Sequence, residues 1–71
     1  MTNPARRELL RVLERLADEC PEVRFGQLIA NLSYLAKGAT SEAVWDVEDH
    51  ELLAAAKRQL EQQESRRPSV A

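Results

Sequence analysis

The sequence predicts an all-α fold, a compact three-helix domain, and three observations carry that expectation. Apolar residues recur three and four apart in three separate segments, which is helical spacing and not strand alternation. Two Gly and three Pro in 71 residues are too few for a turn-rich β domain. Capping residues bracket the segments where helices should begin and end.

The first helix is expected at about 4–19. Asn3 can accept a bond from an orphan N–H, and Pro4 at the first helical position has no N–H to lose. Leu9, Leu10, Val12, Leu13, Leu16 and Ala17 form the apolar stripe, and Pro21 disfavours a helical Cys20. The second helix is expected at about 24–36, with Phe25, Leu28, Ile29, Leu32 and Leu35 as its stripe. Gly26, Ala30 and Ser33 form a neighbouring line of small residues, which predicts a close helix contact there. Lys37-Gly38 supplies a cation for the last turn and a left-handed glycine cap.

Residues 39–44 read as a loop with one short turn started by Ser41. The third helix is expected at about 47–62, capped by Asp46, with Glu48 and Asp49 in a first turn that favours anions. Leu52, Leu53, Ala56 and Leu60 face its core side. Residues 1–63 thus form a single helical domain and 64–71 a flexible C-terminal tail.

Composition narrows the function. The chain carries ten Lys/Arg against twelve Asp/Glu, a net charge of −2, which excludes a general polycation that binds nucleic acid by bulk charge. Cys20 is the one cysteine and His50 the one histidine, so neither a disulfide framework nor a structural zinc site is expected. No cofactor and no metal is expected. Residues 1–7 lack an apolar run after their charges, and the charge-free stretch 25–36 is too short for a bilayer. The expectation is a cytoplasmic protein with no membrane contact.

Charge is unevenly placed. Residues 1–36 balance, residues 37–51 carry a net of −4, and residues 52–71 a net of +2. A helix-turn-helix would present the start of its recognition helix to base edges, and here that start is Asp46-Val47-Glu48-Asp49-His50-Glu51, which phosphates repel. Catalysis finds no constellation either. Asp46 and His50 share a helix face without a third ligand, and so short a chain can hardly build a cleft around Glu48 and Glu51. The chain is not expected to be an enzyme.

Two sets of residues stand out. Arg24, Gln27, Asn31 and Tyr34 run along one face of the second helix. Within that set, and at the start of the third helix, Arg24, Asp46 and Asp49 are expected to form a structural ion pair, with Trp45 folded beneath the helix start. Gln27, Asn31, Tyr34, Glu48 and Glu51 are the candidate interaction surface.

Arg24-Phe25-Gly26-Gln27-Leu28-Ile29-Ala30-Asn31, followed by Trp45-Asp46-Val47-Glu48-Asp49-His50-Glu51-Leu52, resembles a pattern of small bacterial and phage-borne proteins. That pattern is R-[FL]-G-Q-L-x-x-N, a variable loop, then an aromatic-x-x-E-D-x-E-L segment, and the likeness covers residues 21–56. Trp45-Asp46 departs from it, since many such chains carry an aromatic followed by Ile. The resemblance implies a defined domain and no particular activity. The leading expectation is therefore a protein–protein interaction or small regulatory module whose partner is another protein. The broad apolar stripe adds a homodimer through helix one. The alternative is a nucleic-acid-associated regulator, such as an antitoxin-like small repressor.

Overall fold

The computed structural model describes residues 3–66, and these residues are all helix and connecting turns, with no strand among them. Four helices follow in order: α1 (Pro4–Glu19), α2 (Phe25–Lys37), α3 (Ala43–Asp46) and α4 (Asp49–Arg66). The three long helices are those the apolar spacing predicts. The fourth, α3, is a single turn that starts two residues after the Ser41 expected to begin one, at Ala43, and runs beyond the expected loop to Asp46.

α1 starts as its sequence dictates. The Asn3 side-chain oxygen accepts the Ala5 N–H at 2.8 Å, with Pro4 in the first turn. It stops at Cys20, whose N–H still donates to the Leu16 carbonyl at 2.9 Å before Pro21 turns the chain away. α2 has no side-chain cap at Arg24 and ends at Gly38. Gly38 has φ 103° and ψ 162°, an extended positive-φ conformation rather than the left-handed helical cap expected, and one essentially confined to glycine.

α4 is the spine. α1 packs along it most extensively, α2 packs on it as well, and α3 packs on α2. Leu9, Val12, Leu13 and Leu16 of α1, Leu28 and Leu32 of α2, and Leu53, Ala56 and Leu60 of α4 close one core. Leu16 and Ala56 are fully excluded from solvent. Ser33 is the one buried polar residue among the described residues, and its hydroxyl donates to the Ile29 carbonyl at 2.8 Å, so burial leaves no open donor.

Ion pairs fix how the helices run. Arg6 pairs with Asp49, Glu8 with Lys57 and Arg15 with Glu64, so residue numbers rise together and α1 and α4 are parallel. α2 runs the other way: Lys37 at its end pairs with Glu51 at the start of α4, at 3.2 Å. The result is an up-down-up bundle in which one end holds the starts of α1 and α4 with the end of α2.

That polarity corrects the expected ion pair of Arg24 with Asp46 and Asp49. Arg24 caps the start of α2, at the opposite end of the bundle from Asp49. Thirteen helical residues separate the two ends of α2 by about 20 Å. Asp49 is instead taken by Arg6, Asp46 closes α3 rather than capping the next helix, and Arg24 is exposed with no ion pair among the described residues.

Other expectations shift too. The small-residue line of α2 splits: Ser33 is buried, yet a side chain at Gly26 would meet nothing within 4 Å. The α1 stripe that suggested a dimer is covered within the chain, leaving Leu10 as its large exposed member, 60% accessible. Residues 64–66 of the expected tail continue α4, and Glu64 pairs with Arg15, so the helical domain reaches past residue 63. Residues 67–71 lie outside the described residues.

Candidate functional site

α3 takes in Trp45 and Asp46, which were not expected to share the loop's short turn, and its smallness determines what it displays. A one-turn helix can bury only the side chain facing its support. Ala43 is that side chain, 2% exposed. Val44 and Trp45, about 100° and 200° further round, point away from the support. Trp45 is 90% exposed, the most exposed large apolar residue described.

The backbone holds this display firmly. The Ala43 N–H donates to the Thr40 carbonyl, that of Asp46 to Glu42 and that of Val47 to Ala43, at 2.9–3.1 Å. Trp45 is therefore carried on a bonded turn with both flanks anchored. An indole has a large apolar face, and leaving nearly all of it in water forgoes the burial a thin core would gain from it. The chain does so with its single tryptophan.

Charge around the turn is one-signed. Glu42 and Asp46 are four residues apart, one turn, and Trp45 lies between them along the chain. Both carboxylates are exposed, as is Glu48 just beyond, and none of the three has an ion-pair partner among the described residues. Arg6, which lines a recess with Glu48, is engaged by Asp49, and Lys37 at the end of α2 is engaged by Glu51.

The start of α4 explains two further candidates. The Glu51 carboxylate accepts the Glu48 N–H at 2.9 Å, reaching back from the third helical position as in a capping box. That bond comes first, and Lys37 second, in holding the Glu51 pKa below its ordinary value of 4.5. Glu51 is thus occupied on both sides as a cap and a clasp, while the Glu48 carboxylate has no ion pair among the described residues. Glu48 also lines a recess of about 320 Å³ with Asn3, Arg6, Val47, Asp49 and His50.

Gln27, Asn31 and Tyr34 lie exposed along α2 as expected. Asn31 and Tyr34 rim a groove of about 440 Å³ between α2 and the far half of α4, with Leu28 and Leu32 in its lining and Gln59 and Gln63 opposite. Gln27 is not part of that lining. The structure therefore does not unite the five candidates: Asn31 and Tyr34 share a groove, and Glu48 and Glu51 sit at the head of α4.

Trp45 and Glu42 were missed as site residues by sequence reasoning. A lone tryptophan in a chain with few large apolar residues reads as core. The available signal was its setting, with acidic residues at 42, 46 and 48. Among the described residues no group of three or more His, Cys, Asp or Glu is placed to hold a metal, and no helix is long and apolar enough to cross a membrane. No family model matches the chain, and no curated protein or solved structure matches it either.

Proposed function

We propose that this chain is a small protein-interaction module that docks another protein through α3. The observation that carries this reading is Trp45, 90% exposed on a hydrogen-bonded turn. Tryptophan is enriched among residues that dominate binding energy, because covering its large rigid face costs little side-chain entropy. Val44, also exposed, widens the apolar contact. Asn31 and Tyr34 form a second, more polar edge on α2.

The test separates docking from folding. Trp45→Ala removes no buried contact, so its melting curve should overlay that of wild type. Loss of a central aromatic anchor should weaken partner binding by about 2 kcal/mol or more, roughly 30-fold. Photocrosslinking from position 44 in a lysate of the native host would identify the partner, and capture by wild type and Trp45→Ala would then be compared. Equal capture by the two proteins would overturn the reading.

A further inference from the structure

We infer that the α3 surface is built for a cationic amphipathic helix, one that offers an apolar socket to Trp45 and Lys or Arg to its flanks. The inference rests on the docking reading above and specifies the chemistry of the partner. Three facts about the fold support it together. The apolar part is small and convex: Val44 and Trp45 stand out from a turn whose only buried side chain is Ala43. A convex knob of this kind needs a hole to enter, such as the one that four side chains form on the apolar face of a facing helix.

The rim has one sign. Glu42, Asp46 and Glu48 are exposed with no ion pair among the described residues, while Arg6, which lines the recess beside Glu48, is held by Asp49 and Lys37 by Glu51. An ion-paired rim would be indifferent to partner charge, whereas three free carboxylates beside one indole favour Lys and Arg. Arginine suits both features, since it can stack on the indole and bond a carboxylate bidentately. The same acids repel phosphate backbones and anionic lipid surfaces, so a nucleic acid or a membrane is disfavoured as the occupant.

The third fact concerns a second copy of the chain. The exposed cations with no ion pair among the described residues are Arg7 and Arg11 on α1, Arg24 just before α2, and Arg58 and Arg66 on α4. The lining of the α2–α4 groove contains Glu22 and no Lys or Arg. That groove therefore lacks the charge that the α3 rim selects, and the two recesses that Arg58 lines each present an acid as well, Glu61 in one and Glu51 in the other.

The single tryptophan makes the experiment direct, because all indole fluorescence comes from Trp45. The probes are two synthetic amphipathic helices of equal length, one of Leu and Lys and one of Leu and Glu, added to the full chain at low salt. The Leu/Lys helix should quench and blue-shift Trp45 at micromolar concentration, and the Leu/Glu helix should not. Glu42→Lys with Asp46→Lys should weaken Leu/Lys binding at least about tenfold, as should Glu48→Lys, which lies outside α3 and keeps the test valid if the first variant misfolds. Labelled-peptide anisotropy should show the same loss for Trp45→Ala.

Equal binding of both helices through Trp45 would overturn the cationic partner while leaving docking at α3 standing. A Trp45 signal unmoved by either helix would overturn the inference, and the docking reading would still be judged by its own crosslinking comparison. A blue shift that grows with protein concentration alone would show a second copy on this surface and would also overturn it.

Discussion

Arg6 donates from Nε to the Asp49 carboxylate at 2.9 Å and so ties the first turn of α1 to the first turn of α4, across 43 residues of sequence. The contact reports the parallel course of α1 and α4. It also removes Asp49 from any role with Arg24, which stands at the other end of α2. Because the Arg6 side chain is 62% exposed, solvent screening limits the pair to about 0.2–1 kcal/mol. Arg6→Ala should lower stability by no more than that in urea titrations. Arg24→Glu should melt as wild type does, since its side chain has no ion-pair partner to lose and an acid at a helix start is tolerated by the dipole.

The acid side of the stability profile should report Glu51. Its pKa is lowered in the fold by the Glu48 N–H and by Lys37, so its contribution is complete above the ordinary value of 4.5 and is lost as pH falls through the lowered value. Glu51→Gln keeps an acceptor for the Glu48 N–H and loses the charge, while Glu51→Ala loses both. Thermal melts from pH 7 down to pH 3 should therefore show Glu51→Ala less stable than Glu51→Gln at neutral pH. Both variants should lose less stability than wild type on acidification.

The two glycines should respond with opposite signs. Gly26 lies in the first turn of α2 at negative φ with open space around it, so Gly26→Ala should stabilise by about 0.5–1 kcal/mol, chiefly by restricting the unfolded chain. Gly38 holds φ 103° and its N–H donates to the Tyr34 carbonyl at 2.8 Å. Gly38→Ala should destabilise by about 1–3 kcal/mol, although nothing crowds the position, because the cost is in the backbone. Chemical denaturation of the two single variants measures both.

The core is thin enough for one truncation to matter. Leu16→Ala should cost about 2–5 kcal/mol, comparable with the roughly 3–5 kcal/mol that so small a domain retains. Ala56 is fully excluded where α4 meets its neighbours, so Ala56→Leu should cost about 1–3 kcal/mol by overpacking. Circular dichroism at 25 °C should find Leu16→Ala largely unfolded and Ala56→Leu folded with a lowered melting temperature.

The long helices were legible because local signals agree with burial. Asn3-Pro4 starts α1, the leucine spacing picks its buried face, and Lys37-Gly38 ends α2. What sequence could not supply was which charges meet. Arg24 and Asp49 have the right signs and a plausible separation along the chain, but partner choice depends on helix polarity, and polarity is set by the whole bundle. The extent of α3 was hidden for a related reason. Ala43 offers one apolar position on one turn, too short for periodicity, and Trp45 next to it imitates a core residue. Of the candidate surface, Asn31 and Tyr34 were recognisable as exposed from their polar spacing, whereas the capping role of Glu51 depends on where α4 begins.

The position of α4 as the spine also bears on how the chain is made. α1 and α2 touch each other far less than either touches α4, and α4 follows both in the order of synthesis. Neither earlier helix has its apolar face covered until α4 has left the ribosome, and helices of 16 and 13 residues are marginal alone in water. Folding is thus deferred until α4 has been translated and then completes in one cooperative step. A ribosome stalled before Leu53 or Leu60 would hold a nascent chain with its leucines exposed, open to proteases and chaperones.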